Sequence, residues 1–263
     1  MKPPVYDQNW PEEVKALYRH DMQEMWDKTV APHIWNQYHN QLDIYLSLTG
    51  GERGLDILDI GCAQGTLALL LAERGQRVRA MDIRRQFLDY AATRYEKGDI
   101  GFICGNALEI DIQERFDLIF ANQVIEHLVY PLDFIRRTAS WLKPGGRLVV
   151  TTPNADYLMT DLPTFGELGD AGRFEHLQFS ADGDGHFFAY NGAELEALMT
   201  QAGLIRVEAR YFESPWISGH MKVRHLHRLA PANFLRGLDS ATLCIPCLGR
   251  KLAHQLMVTG SMP

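Results

Sequence analysis

LDILDIGCAQG, Leu55 to Gly65, packs four aliphatic residues and two aspartates into its first six positions and then turns on Gly61 and Gly65. An apolar-rich segment, Thr66 to Arg74, follows directly. A short apolar run, a glycine turn and a longer apolar segment read as a buried strand, a tight turn and a helix. Glycine at both positions admits positive φ or the close approach of a ligand, and the first turn of the helix offers unpaired N–H groups. The order predicts a ligand site at this turn. The G-x-G-x-x-G spacing of dinucleotide-binding turns is not met, because the glycines are four apart and Ala63 stands between them.

Working outward, a second strand, Val78 to Met81, ends in Asp82, 17 residues beyond Gly65. An acid at the tip of strand two is placed to accept hydrogen bonds from both hydroxyls of a ribose. A third strand, Ile100 to Cys104, runs into Gly105, Asn106 and Ala107. FDLIFANQVIEHL, Phe116 to Leu128, carries strand four (Phe116 to Ala121) and the turn with Gln123, Glu126 and His127. LKPGGRLVVTTPN, Leu142 to Asn154, carries a glycine turn and strand five, Arg147 to Thr152. Helices are predicted over Thr66 to Arg74, Arg84 to Lys97, Leu132 to Trp141 and Gly192 to Ala202. Strand six is expected over Leu204 to Phe212, with strand seven, His254 to Gly260, antiparallel beside it. Right-handed crossovers turn this alternation into a doubly wound α/β sheet.

These blocks, in this order and spacing, resemble class I S-adenosylmethionine-dependent methyltransferases over roughly Leu55 to Phe212. The branch they are most similar to is the small-molecule enzymes related to the ubiquinone O-methyltransferases, with E-H after strand four and L-K-P-G-G before strand five. The resemblance implies a Rossmann-like fold whose seven-stranded, mostly parallel sheet ends in an antiparallel strand. It implies S-adenosylmethionine as cofactor, leaving as S-adenosylhomocysteine, and methyl transfer, chiefly at oxygen, to a small-molecule or a glycan- or lipid-linked acceptor. Mapped onto this chain, Asp59 and the backbone of Gly61, Cys62, Ala63 and Gly65 would hold the methionine part. Asp82, with Ile83 beside it, would hold the ribose, Asn106 and Ala107 the adenine, and Gln123 would touch the methionine end. Where Asn106 stands the family commonly has an acid, but an amide oxygen still accepts a hydrogen bond.

A hydroxyl acceptor gains from a general base, and histidine suits that task near its reference pKa. His127 and His186 are the candidates; a hydrogen-bonded structural role is the alternative for each, as turn stabilisation is for Asp59. Members that use a divalent cation carry E-x-x-E-H after strand four. Here Glu126 and His127 match the last two positions, but the first is Gln123, a weaker ligand for a hard cation. No metal site is expected.

The 263 residues, 46% hydrophobic and 22% charged, have the composition of a soluble globular protein. No run approaches the roughly 18 apolar residues of a membrane span, and the first residues lack a signal-peptide core, so a cytoplasmic location is expected. Four cysteines, Cys62, Cys104, Cys244 and Cys247, are too scattered for a disulfide framework. The net charge of −7 hides an asymmetry: Ser214 to Pro263 carries six Lys and Arg against Asp239 alone. Such a tail suits an anionic substrate, a membrane surface or nucleic acid, with a solvated helix face as the alternative.

Residues 1–50 are expected to form a helical cap, with helices over Pro11 to Lys28 and Pro32 to Leu48, and residues 51–263 the cofactor-binding domain. Trp35, Tyr38 and His39 are candidate substrate-lining residues. Two insertions interrupt the pattern. Residues 153–190 are acidic and rich in glycine and proline and read as a mobile loop over the site; residues 214–253 are helical in pattern and basic. Two further readings stay open: methylation of nitrogen, carbon or a macromolecule held by the basic tail, and a non-catalytic cofactor-binding subunit. Nucleic acid is the less expected partner, since no Asn-Pro-Pro-Tyr or Asp-Pro-Pro-Tyr follows strand four.

Overall fold

A computed structural model describes residues 1–177 and 188–263. Its sheet has seven strands in the order β3 (Asp99–Cys104), β2 (Arg77–Asp82), β1 (Asp56–Ile60), β4 (Phe116–Asn122), β5 (Leu142–Pro153), β7 (Gln255–Ser261), β6 (Ile205–Phe212). The chain divides into two compact units, Met1–Asn106 with Glu213–Thr242, and Ala107–Phe212 with Leu243–Pro263.

The first unit holds β1 (Asp56–Ile60), β2 (Arg77–Asp82) and β3 (Asp99–Cys104), paired in parallel. Ile57 and Leu58 of β1 and Val78 and Ala80 of β2 are completely buried, as continuous apolar runs in parallel strands require. Four helices precede or link these strands: α1 (Glu12–Asp21), α2 (Pro32–Ser47), α3 (Thr66–Glu73) and α4 (Arg85–Thr93). α1 begins after Pro11 with Glu12 and Glu13 in its first turn, where acids complement the exposed N–H groups. The expected single helix to Lys28 instead widens into a π turn at Met22–Trp26. Its i, i+5 spacing brings the Trp26 indole N–H onto Asp21, at 3.3 Å. α4 stops short of the expected Lys97, its end tightening into i, i+3 bonds from the Arg94 and Tyr95 N–H groups, and the Arg94 side chain is fully buried.

The second unit holds β4 (Phe116–Asn122), α5 (Pro131–Ser140), β5 (Leu142–Pro153), α6 (Gly192–Gln201) and β6 (Ile205–Phe212). β4 and β5 are parallel. β7 (Gln255–Ser261) lies between β5 and β6 and is antiparallel to both, the predicted topology. β5 begins earlier than the expected Arg147. The turn Lys143 to Gly146 lies within it as an irregularity in register, with Gly146 so close to Phe116 that an added Cβ would sit 2.8 Å from its carbonyl oxygen. α6 has a complete capping box: Asn191 accepts the Glu194 N–H and Glu194 accepts the Asn191 N–H, each at 3.0 Å.

The described part of the first insertion combines anchored residues with exposed ones such as Leu158 and Met159. Bridges join Asn154 to Tyr190 and Thr164 to Ala189, and Tyr157 and Leu168 are buried. The second insertion is helical, as read from its pattern, with α7 (Pro215–Ser218), a 3-10 turn (Val223–Arg228), α8 (Ala232–Leu243) and α9 (Leu248–Leu252). Its first part packs on α2: Gln37 donates to Glu213 at 2.8 Å, and Arg236 pairs with Asp43 at 2.7 Å.

Candidate cofactor site and acceptor-side residues

β1 delivers the chain into the glycine turn, where Gly61 (φ +70), Ala63 (φ +47) and Gly65 (φ +75) are left-handed. Gly65 serves a second purpose, since a Cβ there would meet the Ala91 Cβ at 2.7 Å, so its absence lets α4 approach. Asp82 organises the turn. One carboxylate oxygen accepts the Ala63 N–H at 3.0 Å and the other the Arg84 N–H at 2.9 Å. Each oxygen keeps a further lone pair, the arrangement a vicinal diol needs. Gly105 N–H donates to the Asp82 carbonyl at 3.1 Å, which brings the half-buried Asn106 beside this tip. Ile83 exposes 45% of its surface next to it, an apolar platform suited to a purine face. Ala107 is buried at the start of the second unit.

Asp59 is 3% exposed and accepts the Ala68 N–H in the first turn of α3. Burial, and then the charge of Asp82, push its carboxyl up to about 7. Two buried carboxyls in mutual repulsion favour a ligand with positive charge. Cys62 is buried and its thiol is held well above the ordinary range by burial and by both aspartates, which makes it a packing group.

In the second unit, Gln123 (φ +52) does not extend freely: its amide donates to Gln255 at 2.8 Å and to Thr151 at 3.4 Å. Glu126 is fully buried in the 3-10 turn Ile125–His127, and among the described residues neither carboxyl oxygen has a hydrogen-bond partner. Burial raises it to about 8; its own N–H and the nearby Thr152 hydroxyl, outside hydrogen-bond geometry, offset only part of that. Tyr190, likewise buried and with no hydrogen-bond partner for its hydroxyl among the described residues, feels the Glu126 charge. His127 is half-buried in the same turn. His186 lies outside the described residues. Of the proposed substrate-lining side chains, Trp35 stacks on His39 with ring centroids 3.9 Å apart, and Tyr38 is drawn to the glycine turn through Gln64.

Sequence reasoning passed over Gln64, Glu24, Asp21 and Arg94 in the first unit and Thr152 and Tyr190 in the second. None of them carried a local signal: even Arg94 stands in a polar stretch, Thr93 to Asp99, that reads as an ordinary exposed helix end.

The profile of a methyltransferase domain matches residues 15–209. The chain belongs to this methyltransferase-domain family. Among curated relatives of this methyltransferase-domain protein is a ubiquinone biosynthesis O-methyltransferase of Bradyrhizobium diazoefficiens, 38% identical over 106 residues, which are 40% of this chain and 42% of the relative. The chain thus spans about two fifths of the length of the curated relatives that it matches. In fold it is similar to a Haemonchus contortus phosphoethanolamine N-methyltransferase 2 in complex with S-adenosyl-L-methionine (TM-score 0.60, 17% identity, 97% of this chain and 61% of that one). It is also similar to the N-methyltransferase NodS of Bradyrhizobium japonicum in complex with S-adenosyl-L-homocysteine (TM-score 0.54, 18% identity, 95% and 97%).

The residues present fit S-adenosylmethionine: a left-handed glycine turn, a diol-ready Asp82 and a buried Asp59 seeking positive charge. They do not fit the divalent cation that some methyltransferases of this kind hold. Gln123, uncharged and with its amide NH2 donating to Gln255, occupies the first position of the acidic pattern, and among the described residues no three metal-capable side chains converge.

Proposed function

We propose that the chain transfers the methyl group of S-adenosylmethionine to the hydroxyl of a small-molecule or glycan- or lipid-linked acceptor. The observation that carries this reading is Asp82, buried at the tip of β2 with one oxygen on Ala63 and the other on Arg84. The name of the Bradyrhizobium relative, an O-methyltransferase, supports oxygen as the target. When bound, the cofactor supplies a methyl group on a sulfonium, open to in-line displacement. The protein has to align the nucleophile and exclude water. In this reading the turn Gly61 to Gly65 and Asp59 orient the methionine part, Asp82 the ribose, and Ile83, Asn106 and Ala107 the adenine. His127 or His186 takes the proton from the acceptor hydroxyl.

The test is transfer of labelled methyl groups to a metabolite extract, with and without chelator. Chelator-resistant labelling of hydroxyl groups is expected, and a purified chain that binds cofactor yet labels nothing contradicts catalysis. Labelling confined to amines would instead favour nitrogen as the target, the chemistry named for the two structural neighbours.

A lipid-linked acceptor finds support in the second insertion. From Ser214 to Leu238 there is no acidic residue, while Leu229 and Phe234 expose 83% and 59% of their surface among Lys222, Arg224 and Arg228. Exposed apolar residues ringed by cations suit an anionic lipid surface. Sedimentation with phosphatidylglycerol vesicles should pull down the protein at low salt and lose it at high salt. Equal recovery with phosphatidylcholine vesicles would contradict the electrostatic part of this reading.

A further inference from the structure

Gln64 sits inside the glycine turn, yet only 8% of it is exposed. Its side-chain amide donates to Glu24 at 2.6 Å and to the Tyr38 hydroxyl at 3.1 Å, using both of its hydrogens. Its backbone carbonyl accepts from the Arg94 guanidinium at 2.5 Å. Arg94 is fully buried and pairs with Asp21 at 2.9 Å, and Asp21 also accepts from Tyr90 at 2.7 Å and from Trp26 at 3.3 Å. Asp21, Glu24 and Trp26 belong to α1 and its π turn, and Tyr38 to α2. Both ends of one turn residue are therefore tied, directly or through one arginine, to the N-terminal helices. These ties involve charged groups out of water, where hydrogen bonds are at their strongest.

The turn does not need these ties to close. Gly65 N–H returns to the Cys62 carbonyl at 2.7 Å, Gly61 and Cys62 N–H bond to Met81, and Ala63 is held by Asp82. What the ties to Gln64 add is a connection between the turn and residues 12–47.

We propose that Gln64 is a positioning residue that couples docking of the N-terminal helices to S-adenosylmethionine binding. This rests on the reading of the glycine turn as the cofactor site. The coupling is reciprocal: whatever affinity the cofactor gains from docked helices, the helices gain in order from bound cofactor. Glu24 and Tyr38 act through the Gln64 side chain, and Asp21 acts through Arg94 on its carbonyl.

Gln64→Glu removes both donors and sets a second carboxylate against Glu24. It should weaken S-adenosylhomocysteine binding, followed by calorimetry, by at least about tenfold. Adding Glu24→Gln restores a donor facing an acceptor with the roles exchanged, and should recover most of that loss. In hydrogen exchange, S-adenosylhomocysteine should slow the amides of residues 12–47 in the wild-type chain and leave them unchanged in Gln64→Glu. Wild-type affinity in Gln64→Glu, or a folded double variant with no recovery, overturns the coupling. If Gln64→Glu does not fold, the wild-type exchange decides: bound ligand without any slowing over residues 12–47 overturns it as well. A wild-type chain that takes up no S-adenosylhomocysteine overturns the cofactor reading itself, a result distinct from failure of the coupling.

Discussion

Asp82→Ala is expected to lower affinity for S-adenosylmethionine at least about a hundredfold, measured by calorimetric titration. Two effects combine. The substitution removes the carboxylate that would accept from the ribose hydroxyls, and hydrogen bonds to charged groups are worth roughly 1.5–3 kcal/mol each. It also releases the Ala63 N–H at 3.0 Å and the Arg84 N–H at 2.9 Å, so the turn loses its brace. A loss of about 2.7 kcal/mol already corresponds to a hundredfold. The charge of Asp82 is one of the causes that raise Asp59, so the variant should also lower the Asp59 pKa from its value of about 7. Affinity within threefold of wild type would remove Asp82 from the cofactor site.

The second large effect concerns pH. Glu126 titrates near 8 in the folded protein against an ordinary value of 4.5. A carboxyl with a raised folded pKa binds more protons folded than unfolded, so its contribution to stability is fully present below about 4.5 and is lost as pH rises towards 8. At about 1.36 kcal/mol for each pKa unit, that loss is on the order of 5 kcal/mol. Glu24 and Asp59, both raised to about 7, steepen the same fall up to that pH. Between pH 7 and 8 Glu126 dominates. Glu126→Gln keeps the shape without the charge and should be more stable than wild type at pH 8 by several kcal/mol, with little difference at pH 4.5. Urea unfolding of both proteins at the two pH values is the check. Equal stability at pH 8 would mean that Glu126 finds solvent or a partner that it lacks among the described residues.

What the sequence showed and what it hid follow from the range of the interactions. The strand ending at Ile60, the turn on Gly61 and Gly65 and the acid at Asp82 are local signals, and each element lies within a few residues of its predicted bounds. The antiparallel β7 was readable because Leu256, Met257 and Val258 form an isolated apolar run near the end of the chain. The π turn at Met22–Trp26 was not, since its apolar spacing hardly differs from that of an α-helix and only the Asp21–Trp26 contact reveals it. Nor was the role of Gln64 readable, because its amide partners lie 40 and 26 residues away in the sequence. Gln123 was read as facing the cofactor from its position after β4. Its amide NH2 also meets Gln255, 132 residues further on, a contact that no local pattern encodes.

The basic insertion teaches the same lesson. Charge counting made its cations a single patch, but Arg236 is committed to Asp43 on α2 and Arg250 lies 3.4 Å from Asp156. Lys222, Arg224 and Arg228 form no ion pair among the described residues. Their stretch is the part of the insertion with the strongest case for an anionic surface.

The measurement that tests the central claim most directly is calorimetric titration of the wild-type chain with S-adenosylmethionine and S-adenosylhomocysteine. One-to-one binding of both in the micromolar range is predicted, with adenosine alone much weaker because it cannot engage Asp59 through a charged methionine part. Absence of binding by either would contradict the account, and the turn at Gly61 to Gly65 would have to serve a different ligand.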